Sequence, residues 1–191
     1  MTEQNPPIVI VLAAGLGSRF RQSGGSTHKL DALLGGLPLL EHVRRSVAAA
    51  GLDCHVVRPE VGAAGKACGM GDSIARGVRA TAHAGGWLIL PGDLPLVSPL
   101  SLRQVAQSLA SHPVVQPFWH GQSGHPVAFG LECFAALTAL SGDTGAASIV
   151  RAHRAAGTAL ALQLDDQGIV TDIDTLSDLA RAQALLDGHA A

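Results

Sequence analysis

The apolar positions of the chain fall into short unbroken runs separated by glycine- and proline-rich breaks. Residues 8–14 (Ile-Val-Ile-Val-Leu-Ala-Ala) have no polar face. Such a run suits a strand buried on both sides, as in a parallel sheet. Runs at 53–58, 87–90, 114–118, 160–164 and 169–173 predict further strands. After a turn at 119–124, residues 126–129 can return as a hairpin. The pattern turns helical at 39–50, about 73–84, 99–110, 131–140 and 147–156, and again from 176 until a polar tail near 187. Pro38 precedes the first helix and Gly51 stops it. Asp72 or Ser73 can cap the second, and Ser98 caps the third with Pro99 at its first position. Residues 15–29 and 62–71 read as loops. Strand and helix alternate, with a β-rich interruption near 114–129. This order predicts one doubly wound α/β domain with a mostly parallel sheet.

Composition narrows the class. The 191 residues carry a formal net charge of −2, with 47% hydrophobic and only 3% aromatic residues. That balance argues against disorder and against a nucleic-acid binder that neutralises phosphates over a broad surface. It also lacks the stacking platforms used for single strands. Cys54, Cys68 and Cys133 are widely spaced, form no CxxC, and fit neither a disulfide framework nor a zinc site. The apolar run near the N-terminus lacks a basic flank, and no stretch approaches the ~20 residues of a membrane span. The expectation is a cytoplasmic protein that binds neither nucleic acid nor membrane.

In open α/β sheets, ligands bind beyond the carboxyl ends of the strands. The first strand ends in Ala13-Ala-Gly-Leu-Gly-Ser-Arg19, with Lys29 further on. Glycines let a backbone approach a phosphate, and consecutive N–H groups can cradle it. Arg19 can fork two phosphate oxygens, and Lys29 offers a compact charge. A tight strand-to-helix turn with solvated basic residues is the plainer alternative. The loop is not a dinucleotide fingerprint, because Phe20 stands at the third glycine position. Nor is it a P-loop, because no Gly-Lys-Ser/Thr occurs. An NAD-dependent oxidoreductase is thereby disfavoured.

Gly92-Asp93 closes the third strand. Asp93 could hold Mg²⁺ near a triphosphate, or serve the turn. Asp172 and Asp174 would point the same way if the strand at 169–173 continued, which suggests a cation at Asp174. Asp174 or Thr175 could instead cap the last helix. His125 is either structural or lines a site, and Asp143 is either a cap or a substrate-orienting residue.

Taken in order, Leu12-Ala-Ala-Gly-Leu-Gly-Ser-Arg19 with Lys29, Gly92-Asp-Leu-Pro95, Gly124-His-Pro-Val127, Gly142-Asp-Thr-Gly145 and Asp172-Ile-Asp-Thr175 resemble the MobA-like nucleotidyltransferases. Within them the chain looks most like the molybdenum cofactor cytidylyltransferase branch. The resemblance runs from about Ile8 to Leu186 and implies a single Rossmann-like nucleotidyltransferase domain over residues 1–191. It implies transfer of a nucleoside monophosphate from an NTP to a phosphorylated acceptor, here the molybdopterin cofactor, with release of pyrophosphate. By position, Leu12, Ala13, Ala14, Gly15, Gly17, Ser18, Arg19, Lys29 and Gly92 would bind the nucleotide. Arg19, Lys29 and Asp93 would be catalytic, Asp93 and Asp174 would hold Mg²⁺, and His125 and Asp143 would line the acceptor side. Ala14 stands where guanylyl-transferring relatives usually carry Gly, so CTP is the expected donor. A molybdoenzyme awaiting maturation is the partner such a product implies.

This chain departs from the family's usual pattern in spacing and detail. Ten positions separate Arg19 from Lys29. The family's Asp-Thr-Pro is Asp174-Thr175-Leu176, and its Gly-Asp-Met-Pro is Gly92-Asp-Leu-Pro95. A guanylyl or sugar/polyol-phosphate nucleotidyltransferase, and a nucleotide-binding protein without turnover, are the alternative readings.

Overall fold

The run after Pro7 forms β1 (Ile8–Leu12) in the computed structural model, which describes residues 5–15, 17–60 and 68–189. The chain continues through α1 (Ser18–Gln22) and a 3-10 turn at Lys29–Asp31. It then makes a small antiparallel pair, β2 (Leu33–Leu34) and β3 (Leu37–Pro38), before α2 (Leu39–Ala49). Next come β4 (Cys54–Val57), α3 (Met70–Ala80), β5 (Gly86–Pro91) and α4 (Pro99–Ser108). A β-rich stretch follows: β6 (Val114–Trp119), β7 (Gln122–Ser123) and β8 (Val127–Gly130). The chain closes with α5 (Phe134–Thr138), α6 (Ala147–Ala155), β9 (Ala159–Gln163) and α7 (Leu176–His189). None of the described helices is long and apolar enough to cross a membrane.

The central sheet has seven strands in the order β4-β1-β5-β8-β6-β7, with β9 beside β6. β4, β1, β5, β6 and β9 run the same way, while β8 and the short β7 run against them. The expected hairpin return is therefore present and goes further, since β8 inserts between β5 and β6. From β1 the chain passes to β4 at one edge of the sheet, and from β5 it passes to β6 in the opposite direction along the strand order. The crevice beyond their carboxyl ends is thus the topological switch point.

Strand alternation splits the core. Val9 and Val11 pack with Val43 and Val47 of α2 and Leu102 and Val105 of α4. Ile10 and Ile89 face Ile74 and Val78 of α3, Leu137 of α5 and Val150 of α6. Each fully buried residue of this size stabilises by roughly 1.5–3 kcal/mol relative to exposure. A third cluster joins Phe20, Leu34, Leu39, Ile173 and Ala182, and so ties α1, the β2–β3 pair and α7 together.

Several expectations are corrected. Residues 169–173 are not a strand. A 3-10 turn, Gln167–Val170, is capped by the Asp166 carboxylate, which accepts from Gly168 N–H at 2.8 Å. Ile169 serves the first core and Ile173 the third, so their apolar character never belonged to one ladder. The expected helix at 131–140 is a 3-10 turn, Leu131–Cys133, followed by the short α5. α3 starts at Met70 and ends at Ala80: Gly69 is the cap, and Asp72 accepts from the Gly69 N–H at 3.0 Å. The loop at 15–29 contains a helix, and α7 continues past Asp187. Leu16 and residues 62–67 of the two expected loops lie outside the described residues. Cys54, Cys68 and Cys133 are free. Burial pushes the Cys133 thiol up to about 11, helped by the Glu132 charge and opposed by a hydrogen bond to the Gly130 backbone.

Candidate active site

The end of β5 is stitched to its neighbours by backbone. Gly92 N–H donates to Leu12 O at 2.9 Å, holding the turn beside β1. Asp93 O accepts from Ile173 N–H at 3.0 Å, which brings residues 172–174 alongside Asp93 although they lie far apart in sequence. The local fold then frees Asp174. Thr175 and Asp178 cap α7 reciprocally: Thr175 Oγ1 accepts from Asp178 N–H at 3.2 Å, and Asp178 accepts from Thr175 N–H at 2.8 Å. Burial raises the Asp178 pKa, and hydrogen bonds from Thr175, Arg181 and the Asp174 backbone bring it below the ordinary value. Asp174 is therefore not the cap, and its carboxylate is available to other partners. Asp172, by contrast, is exposed and shares no strand face with it.

Lys29 is the centre of the cluster. Its Nζ donates to Asp93 Oδ2 at 2.6 Å and to Asp174 Oδ1 at 2.8 Å. Arg19 Nη1 donates to the other oxygen of Asp174 at 2.7 Å. The lysine side chain is 10% exposed and the arginine 76%, so the two cations differ sharply in setting. Burial pulls the Lys29 ammonium down, but the charges and hydrogen bonds of Asp93 and Asp174 more than offset it, leaving its pKa above the lysine value. Hydrogen bonding from Lys29, followed by its charge and those of Arg19, outweighs burial and holds Asp174 below the usual carboxylate value. Asp93 Oδ1 is buried with no hydrogen-bond partner among the described residues.

The residues between Arg19 and Lys29 are fastened rather than loose. Phe20 is buried in the third core cluster. Ser23 Oγ donates to Phe20 O at 2.8 Å and accepts from Leu176 N–H at 3.1 Å, pinning α1 to the start of α7. His28 orders the lysine turn, with Nδ1 accepting from Leu30 N–H at 3.3 Å and Nε2 3.2 Å from Gly15 O. Gly17 has φ +60°, and a Cβ there would stand 3.0 Å from Lys29 Cβ. His28 and Ser23 were not flagged from sequence, because a lone polar residue in a loop carries no periodic signal.

Lys29 and Asp93 line a cavity of about 720 Å³. Leu12, Ala14 and Gly15 form its near wall, and Ile74, Ile89, Val127, Phe129 and Val150 its apolar floor. His125 and Asp143 line it too, as do Met70, Gln116, Arg151 and Arg154, which sequence reasoning missed. Arg151 and Arg154 are three apart on α6, a spacing that could have marked them. The Arg154 guanidinium lies 5.1 Å from the Phe118 ring centre. His125 Nδ1 is buried without a partner among the described residues. Burial pushes the His125 pKa below 6.5, against the raising effects of the Ile89 backbone, Asp93 and Asp172.

Some expected residues stand apart from this cavity. Ala13 is buried in the core on the α2 side, so only its backbone is available to a ligand. Gly92 is buried beneath the turn, and Ser18 and Arg19 are exposed outside. Asp174 lines a smaller recess of about 360 Å³ with Trp119, Asp178 and Arg181. Among the described residues, no three His, Cys, Asp or Glu side chains gather as a metal cage. Two carboxylates that converge on one nitrogen, Asp93 and Asp174, are nonetheless the donor set that Mg²⁺ uses when substrate phosphates and water complete its shell.

A family model, the MobA-like NTP transferase domain, matches residues 9–157. No curated protein matches the chain. Among solved structures, it is similar to a nucleotidyl transferase from Methanothermobacter thermautotroptrophicus, with 23% identity over 95% of this chain and 97% of that one, at TM-score 0.77. Rv0371C of Mycobacterium tuberculosis H37Rv, in complex with manganese, is 23% identical over 95% and 99% of the two chains, at TM-score 0.61. The 4-diphosphocytidyl-2C-methyl-D-erythritol synthase of Anaerococcus prevotii is 14% identical over 96% and 99%, at TM-score 0.68. At these identities the structures testify to fold. The family model covers most of the chain, including the β1 loop, Lys29, Asp93 and the cavity floor, and the chain belongs to the MobA-like NTP transferase family.

Proposed function

We propose that the protein transfers CMP from CTP to a phosphorylated acceptor, the molybdopterin cofactor, and releases pyrophosphate. The single observation that carries this reading is that Lys29, which lines the switch-point cavity together with Asp93, bonds both Asp93 and Asp174 through one nitrogen. Asp93 and Asp174 would hold Mg²⁺. The unpartnered Asp93 Oδ1 and the hard oxygen set fit such an ion. When bound, Mg²⁺ neutralises charge on the phosphate oxygens.

The remaining work falls to the chain itself. Backbone at Leu12, Ala14 and Gly15, which line the cavity, would face the triphosphate, and Arg19 and Lys29 would offset the charge that builds on the departing pyrophosphate. The acceptor phosphate attacks the α-phosphorus in line, and the bond to the β-phosphate oxygen breaks. A phosphate is already ionised at neutral pH, so no side chain need act as base. His125 and Asp143 would line the acceptor end. Ala14, on the cavity wall, favours CTP over GTP through the family resemblance. The chain is read as one cytoplasmic domain whose product passes to a molybdoenzyme.

Pyrophosphate release from CTP, GTP, ATP and UTP with Mg²⁺, each with and without the molybdenum cofactor, tests the proposal. Release that needs both CTP and the cofactor is expected. Release driven by GTP, or by a sugar or polyol phosphate, would replace the named substrates. Nucleotide binding without release under every condition would remove the transferase reading.

A further inference from the structure

Lys29 stands where two carboxylates converge, touching both through one nitrogen. An ammonium at 2.6 and 2.8 Å from two carboxylate oxygens fills the space a small cation would need. It also supplies the neutralisation that would otherwise draw a cation in. The backbone beneath it is fixed: the 3-10 turn is ordered by His28, and the stem starts against Gly17. The ammonium itself is on a flexible stem and lines the cavity, so it can leave the carboxylates without moving the turn. Arg19 holds only the outer oxygen of Asp174 and is too exposed to replace it.

We propose that Lys29 is a built-in counter-ion that occupies the metal position of the empty enzyme and yields it only when a nucleotide arrives. The triphosphate offers the ammonium a new anionic partner, and its departure uncovers Asp93 and Asp174 for a divalent cation. The two ligands therefore bind cooperatively, and by linkage each raises the other's affinity by the same factor. The consequence is protective as well as ordering, because the chain without nucleotide does not gather metal. This rests on the assignment of Asp93 and Asp174 as the metal carboxylates.

The test reads Mn²⁺ binding without nucleotide or acceptor, by the paramagnetic signal of the free ion and by the shift in melting temperature. Wild type is expected to bind Mn²⁺ weakly and to melt unchanged in its presence. Lys29→Gln, which removes the charge and shortens the side chain by one atom, is expected to bind Mn²⁺ at least about tenfold tighter and to melt higher with it. Coupling between Mn²⁺ and CTP should shrink in that variant.

A folded Lys29→Gln protein that binds Mn²⁺ no tighter than wild type overturns the proposal. If the variant does not fold, wild type decides. Tight nucleotide-free Mn²⁺ binding that Asp93→Asn abolishes overturns the displacement alone, leaving the metal carboxylates in place. Mn²⁺ binding with CTP that Asp93→Asn leaves unchanged overturns both. None of these readouts depends on which acceptor the enzyme uses.

Discussion

Lys29 Nζ donates to one oxygen of Asp93 at 2.6 Å, while the other oxygen of the same carboxylate is buried with no partner among the described residues. The pair joins residues 64 positions apart and fixes where charge can be neutralised at the β1–β5 crevice. Asp93→Asn keeps the shape and removes the charge. Turnover should fall by about a hundred- to a thousandfold, since charge placed at a reacting phosphate is among the largest single contributions. Stability should fall by about 1–3 kcal/mol, because Lys29 keeps Asp174 but loses a charged partner. Steady-state kinetics and urea unfolding check both numbers. Near-wild-type turnover would reject Asp93 as part of the machinery.

Arg19 offers the opposite balance. Its bond to Asp174 is short, yet the side chain is 76% exposed, and exposed ion pairs contribute only about 0–1 kcal/mol. Arg19→Gln should therefore leave the melting temperature nearly unchanged. Its kcat/KM for the nucleotide should nonetheless drop by about 10–100-fold, the loss of one charge-assisted fork on phosphate. Activity and stability falling together would show that Arg19 holds the fold rather than the ligand.

Sequence pattern made some parts of this molecule plain and hid others. β1 and β5 were legible because strands buried on both faces lose all polar positions. The start of α4 was legible because Ser98 and Pro99 act within a single turn: Ser98 Oγ accepts from Ser101 N–H at 3.1 Å. The stretch at 169–173 misled because Ile169 and Ile173 fill two different cores, and periodicity cannot say which core an apolar residue serves. Thr175 and Asp178 satisfy the capping-box spacing, but the neighbouring Asp174 offered an equally good oxygen. The reciprocal Thr175–Asp178 bonds distinguish them, while an Ile173-to-Asp93 backbone bond that spans 80 residues carries Asp174 to the site. The motifs identified Lys29, Asp93 and Asp174 one by one. Their convergence on one nitrogen depends on how α1 is pinned to α7, through Phe20 and Ser23, which no local signal announces.

His125 gives the pH dependence a definite sign. Burial lowers its pKa below 6.5, so the native ring resists protonation. As pH falls below 6.5, the unfolded chain takes up a proton that the native chain refuses, and stability is lost until the native pKa is reached. The contribution is fully present above the unfolded value. Unfolding free energies from urea titrations at about pH 7.5 and about pH 5.5 should therefore differ more in wild type than in His125→Gln, by at most about 1.4 kcal/mol per pH unit. Equal losses in the two proteins would mean that the ring titrates alike in both states.

Gly69 carries the last prediction, because it couples the start of α3 to the loop that bears Asp143. A Cβ on Gly69 would lie 2.1 Å from Gly142 O, backbone against backbone, and Gly71 N–H donates to that same oxygen at 2.8 Å. Neither strand of this contact can yield by turning a side chain. Gly69→Ala must therefore push residues 141–145 away from α3, at a cost of about 1–3 kcal/mol. Gly142→Ala is the comparison. It has φ +58° and open space around its missing Cβ, so it costs about 1 kcal/mol of backbone strain without moving α3. The two variants should thus separate in function. Gly69→Ala should raise the acceptor KM several-fold, in proportion to the displacement of Asp143, and Gly142→Ala should change it less. Equal acceptor KM values at unequal stabilities would show that the loop's position is irrelevant to the acceptor, and Asp143 would leave the site.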